Sequence, residues 1–140
     1  MFSDRPTGVV KIISTDDVQV RGVTSVNDEL FVLLERDDNQ VAVYSINDYQ
    51  LLRHLHLPEL KGHVFNDITS CVRLKCLYMS NDDNKCIHRY DLSSSAVSKW
   101  SVRGSPCGLS VTRNGNVLVA CHGPSNKLIE LSADQWSVCT

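Results

Sequence analysis

Three short stretches decide the fold: Gly108-Leu109-Ser110-Val111-Thr112, Asn114-Gly115-Asn116-Val117-Leu118-Val119-Ala120 and Asn126-Lys127-Leu128-Ile129-Glu130-Leu131. Each is dense in aliphatic and β-branched residues, and Asn-Gly or Gly-Pro-Ser-Asn punctuation separates them. Such residues favour extended backbone, and Asn and Gly supply the bends between strands. No apolar period of 3.6 residues runs through any of them. The expectation is three consecutive antiparallel strands.

Outward from this stretch, the same pattern repeats. At a shift of 41, Leu109-Ser110-Val111 falls on Ile68-Thr69-Ser70, Val117-Leu118-Val119 on Cys76-Leu77-Tyr78, Leu128 on Ile87 and Leu131 on Tyr90. At a shift of 45, Val23-Thr24-Ser25 falls on Ile68-Thr69-Ser70 and Asp37-Asp38-Asn39 on Asp82-Asp83-Asn84. After a one-residue slip, Val41 and Tyr44 take the places of Ile87 and Tyr90. The predicted strands are 22–26, 30–35, 40–46 and 51–57 in the first copy, and 67–72, 75–80, 85–91 and 97–102 in the second. The third offers 108–112, 116–121, 127–132 and the start of a fourth at 136–139. The second strand of each copy is apolar on both faces, as in Leu30-Phe31-Val32-Leu33-Leu34, which suits a strand sandwiched between layers.

Four strands per unit of 40–45 residues is the signature of a β-propeller blade. The Gly-Leu-Ser-Val-Thr, Asn-Gly-Asn-Val-Leu-Val-Ala and Asn-Lys-Leu-Ile-Glu-Leu pattern resembles propellers of the NHL and YVTN repeat type over residues 22–132. No Trp-Asp dipeptide ends a strand, so the WD-repeat signature does not apply. The resemblance implies that the first strand lines a central channel. It also implies that the fourth-to-first and second-to-third connections share one face. The expected organisation is a single partial propeller over 1–140: a lead-in strand at 9–14, then blades at 22–57, 67–102 and 108–140. Propellers close with about 4–8 blades. The expectation is therefore part of a ring, either a truncated product or a chain that self-associates to complete it.

Composition narrows the function. With 140 residues, 42% hydrophobic and 21% charged, the chain is ordinary globular material, neither disordered nor collagen-like. Its longest apolar runs, Leu30 to Leu34 and Val117 to Cys121, fall far short of the roughly 20 residues of a membrane span. Net charge is -2, which gives no footprint for general nucleic-acid binding. No signal-like segment opens the sequence. The six cysteines form no C-x-x-C pair, and their density is below that of disulfide scaffolds, so reduced thiols and a cytoplasmic location are expected.

No chemistry-bearing motif emerges. The two Asp-Asp-Asn triplets lack the ligand spacing of a calcium loop and read as turns. Cys71-x4-Cys76 and His54-Leu55-His56 do not match structural zinc spacing. There is no G-x-S-x-G elbow. No catalytic, metal or cofactor residue is assigned, and the expected class is a non-enzymatic scaffold that binds a protein or peptide through face loops. The partner-binding candidates are Asp37, Asp38, Asn39, Lys61, His63, Phe65, Asp82, Asp83, Arg103 and His122. Phe65, in the long connection from Pro58 to Asp67, reads equally as an aromatic anchor exposed at a loop tip or, with Leu60, as a side chain folded back to cap the blade. The four aspartates favour a basic partner. The alternatives are a fragment of a propeller hydrolase or lactonase whose centre needs further blades and, ranked lower, an RNA-binding module of the NHL type.

Overall fold

The computed structural model describes residues 8, 13–15, 17–36, 40–57, 60, 62–123, 126–134 and 137–138. Among these there are twelve strands. Four form an antiparallel sheet in simple order: β1 (Val20–Val26), β2 (Glu29–Leu34), β3 (Val41–Ser45) and β4 (Leu51–His54). The next four do the same: β5 (Asp67–Cys71), β6 (Cys76–Asn81), β7 (Cys86–Asp91) and β8 (Val97–Ser101). Then come β9 (Ser105–Val111), β10 (Val117–His122) and β11 (Lys127–Leu131) in a three-stranded sheet, and last β12 (Ser137–Val138). We call these sheets 1, 2 and 3 in chain order. The architecture is all-β, a set of propeller-blade sheets as the repeat predicts.

The sheets stack face to face because their central strands are apolar on both sides. In β6, Leu77 and Met79 point into a core shared with Phe31, Leu33, Val41 and Val43 of sheet 1. The alternate residues Cys76 and Tyr78 point into a second core with Val117, Val119 and Cys121 of sheet 3. All six residues of β6 are consequently buried. The outer face of sheet 1 carries a third cluster, Val32, Leu34, Ala42 and Tyr44, against which Ile13 and Val18 pack.

The first strand of each sheet, β1, β5 and β9, lies beside the next. Polar side chains fasten this inner seam. The Thr24 and Ser70 hydroxyls meet at 2.7 Å, and Ser70 Oγ also donates to the Ser25 carbonyl at 3.0 Å. Asp67 accepts from the Ile68 N–H at 2.8 Å and from the Leu109 N–H at 2.9 Å, bridging sheets 2 and 3. Gly22 permits the close approach of sheet 1: a Cβ there would lie 3.1 Å from Asp67 Oδ1 and 3.2 Å from Ile68 Cγ2.

The repeat reaches into turn geometry. Tyr49 N–H donates to Ser45 O and Ser95 N–H to Asp91 O, both at 2.8 Å. Tyr49 and Ser95 both adopt positive φ, 57° and 64°. These positions close the third-to-fourth-strand turn of successive sheets, so one backbone solution is used twice.

One expectation changes. The segment predicted as the fourth strand of the third copy pairs elsewhere: Ser137 and Val138 lie opposite Lys99 and Ser98 on the outer edge of sheet 2, leaving sheet 3 with three strands. Of the predicted lead-in strand 9–14, residues 9–12 lie outside the described residues, and Ile13 and Ser14 are not in a strand.

Candidate functional site

The second-to-third and fourth-to-first connections meet at one end of the stack. Their side chains bond to one another. His63, from the link between β4 and β5, has Nδ1 2.8 Å from the side-chain amide of Asn81, at the end of β6, and 3.1 Å from that of Asn84, in the turn between β6 and β7. That turn is built by local chemistry: Asn81 Oδ1 accepts from the Asn84 N–H at 3.2 Å, and Lys85 N–H donates to Asp82 O at 3.2 Å. It carries Asp82, half-buried, and Asp83, exposed. Asn66 donates to Pro106 O at 3.3 Å and Ser80 Oγ to Cys107 O at 2.8 Å, bringing in the start of sheet 3. Cys107 Sγ contacts His122 Nε2 at the far side of the same end.

Of the two courses the sequence allows, the link between β4 and β5 takes the one that folds back on the blade. Gln40, itself buried, donates from its side-chain amide to Leu60 O at 2.8 Å and His63 O at 3.2 Å. Leu55, Leu57, Leu60 and Phe65 all enter the core between sheets 1 and 2. Phe65 is only 2% exposed, so it does not present a ring to solvent and is a packing residue. Its apolar neighbours in sequence fitted both readings equally, and the deciding contact, Gln40, comes from another connection.

Beneath the link lies His88, a polar residue at an inward position of an apolar strand. It is 3% exposed, with Nε2 3.3 Å from Cys86 Sγ and Nδ1 without a hydrogen-bond partner. Its ring meets those of Phe65 and His63 edge-on, at centroid distances of 5.6 and 5.8 Å. Burial pushes its pKa down to about 4, and the neighbouring His63 and Lys99 push the same way. His88 is therefore neutral at physiological pH.

The Cys107 thiol moves in the opposite direction. Burial raises its pKa above the ordinary thiol range, and Asp82 and Asp67 add to this against a lowering bond from Asn66. A raised thiol pKa favours the protonated form, which is the poorer nucleophile. Among the described residues, no three His, Cys, Asp or Glu side chains group to hold a metal ion.

The predicted site residues thus divide. His63, Asp82 and His122 sit at one end of the stack with partners there, while Asp83 and Arg103 are exposed in its turns. Phe65 is in the core, and Asp37, Asp38, Asn39 and Lys61 lie outside the described residues. Asn66, Asn81, Asn84 and Cys107 complete the constellation and were not predicted. Their signal was present only as turn-forming residues at the ends of apolar runs. The opposite end holds a separate cleft of about 370 Å³ between sheets 1 and 2, floored by Asn27, Asp28, Lys75 and Ser93. Arg53 spans it with bonds of 2.7 and 3.0 Å to Glu29, whose carboxyl that pairing holds below its usual range.

No known family's sequence profile matches the chain, and no curated protein does. Solved β-propellers share its fold. It superposes on Kluyveromyces lactis Hsv2 with a TM-score of 0.59 at 11% identity, covering 89% of this chain and 36% of that one. On the Dos1 propeller the TM-score is 0.59 at 11% identity, covering 91% and 34%. The computationally designed Ika4 protein aligns with a TM-score of 0.53 at 8% identity, covering 86% of this chain and 96% of its own. The chain therefore spans little more than a third of the Hsv2 and Dos1 chains. At these identities the likeness defines a class, a set of propeller blades. No helix among the described residues is long and apolar enough to cross a membrane.

Proposed function

We propose that this chain is a non-enzymatic scaffold that binds a protein or peptide through the end of the stack where its longer connections meet. The observation that supports this reading is convergence. Two connections and the strand ends of two sheets contribute His63, Asn81, Asn84, Asp82, Cys107 and His122 to one surface, held by hydrogen bonds on a rigid core. Polar groups fixed on a rigid scaffold bind with little ordering cost. The acidic Asp82 and Asp83 favour a basic partner, with Asp37 and Asp38 as the matching pair of the first repeat. Charge of this kind acts mainly on association rate and specificity. In this reading the repeats are NHL- or YVTN-like, the blades run over 22–57, 67–102 and 108–140, and the cysteines stay reduced in the cytoplasm.

The test is retention of immobilised basic peptides by the wild-type chain and by Asp82→Lys/Asp83→Lys. The wild type should bind in a salt-dependent manner, and the double variant should lose about tenfold at low salt. Equal retention by both chains would remove the electrostatic basis of the proposal.

A further inference from the structure

Two of the cysteines face each other. Cys71, the last residue of β5, and Cys76, the first of β6, are direct partners across the antiparallel ladder, at the rung that closes the hairpin. Residues so placed have Cα atoms about 4.5 or 5.5 Å apart, inside the roughly 4.4–6.8 Å that a disulfide spans. Cross-strand partners share a face, and both thiols enter the core between sheets 2 and 3. No other cysteine among the described residues has this arrangement. Cys86 stands opposite Asn81 and Ser101, Cys121 opposite Pro106 and Lys127, and Cys107 contacts His122.

Polar groups gather at this pair within an otherwise apolar core. Tyr78 and Arg89, opposite each other on β6 and β7, both reach the Cys76 thiol. Burial alone would lower the pKa of the Arg89 guanidinium, but its bond to Cys76 and the charges of Cys76, Tyr78 and Asp91 outweigh this and raise it. Arg89 Nε is itself buried with no hydrogen-bond partner among the described residues. The two sulfurs also differ in access: Cys76 is 0% exposed and Cys71 6%, beside Val72 at 52%. Opening the last rung of the hairpin is enough to reach Cys71.

We propose that Cys71 and Cys76 are a reversible dithiol–disulfide switch, closed by hydrogen peroxide and opened by a small thiol, that sets the turn at 72–75. The free thiols of the structure are the resting form. In closing, the Cys71 thiolate attacks one peroxide oxygen, the O–O bond breaks, and hydroxide leaves and is protonated to water. Cys76 then loses its proton and attacks the Cys71 sulfenic sulfur; the S–S bond forms and the hydroxyl departs as a second water. Two thiols give up two electrons and one peroxide takes them. In opening, the reducing thiolate attacks the more accessible Cys71 sulfur. Cys76 leaves beside the Arg89 cation, which stabilises the charge it carries away. A second reducing thiol frees Cys71 from the mixed disulfide. The turn carries the result outward: Arg73 donates to Asn114 O, between β9 and β10, at 2.7 Å, and Lys75 lines the cleft between sheets 1 and 2.

The test treats the reduced 140-residue chain with hydrogen peroxide, blocks the remaining thiols with N-ethylmaleimide in denaturant, and weighs the product. All six cysteines of the untreated chain should take a maleimide. After peroxide the chain should take two fewer, and dithiothreitol should restore them. Trypsin cuts after Arg73 and Lys75, so the bond should appear as two peptides joined through Cys71 and Cys76. Cys71→Ser and Cys76→Ser should each form no disulfide under the same treatment. Backbone amide shifts between the two forms should centre on Arg73, Lys75 and Asn114. A chain that keeps six reactive thiols would overturn the proposal. So would a disulfide joining any other pair, Cys107 to Cys121 included, a Cys71 that stops at sulfinic acid, or amides unmoved beyond the two cysteines. These outcomes are read without any basic peptide, so they are independent of the loop-face reading.

Discussion

His88 couples the loop end of the molecule to pH. In the folded chain its pKa is about 4, against 6.5 for an unconstrained imidazole. The unfolded chain therefore takes up the proton first. The stability that His88 contributes as a neutral ring is fully present above pH 6.5 and is lost as pH falls toward 4. Its upper size is about 3 kcal/mol, from about 1.36 kcal/mol per unit of pKa. The titratable groups facing the ring are His63 and Lys99, both of which oppose a proton on it, and Cys86 lies against Nε2. Urea unfolding at pH 7.5 and 4.5 should show this loss in the wild type. His88→Phe should lose less over the same interval, and an identical loss in both would contradict the assignment. Phe65, next to that ring, tests the core placement. Phe65→Ala should cost about 3–5 kcal/mol in the same experiment, as a large buried aromatic does. A cost under about 1 kcal/mol would fit the exposed anchor that the sequence suggested.

Among the elements, strands and tight turns were legible and the longer connections were not. β6 was readable because Cys76-Leu77-Tyr78-Met79 is apolar on both faces, and such a run is stable only between two layers. The turn at Asp82-Asp83-Asn84 was readable because Asn and Asp bond their own backbone. The partner of β12 was not, since two residues carry no register information and either outer edge accepts them. The course of residues 55–66 was not, because Leu60 and Phe65 satisfy a hydrophobic contact equally in a core or at an interface. Asp67 was legible as the start of the strand 67–72, but only the fold gives it Leu109 of another sheet as a partner. Asp67→Ala should cost about 1–3 kcal/mol, the range for stranding a buried N–H. Amide exchange should accelerate at Leu109 ahead of the β2–β3 ladder. Uniform acceleration through all three sheets would contradict a local bridging role.

At the scale of the whole molecule, function follows from what the three stacked sheets hold still. Two apolar cores fix the sheets relative to one another. The inner seam of Thr24, Ser70 and Asp67 fixes the register between them. The connections at one end then need only short side-chain bonds to form a shared surface, and the surface is polar where the interior is not. In the proposed reading, this end receives a partner. The most direct measurement is an NMR titration of the 15N-labelled chain with a lysine-rich peptide, reading backbone amide shifts residue by residue. The shifted amides should cluster at His63, Asp82, Asp83, Asn84, Arg103 and His122, and the shifts should fade as salt rises. Shifts confined to the opposite end, at Asn27, Asp28, Lys75 and Ser93, would contradict it.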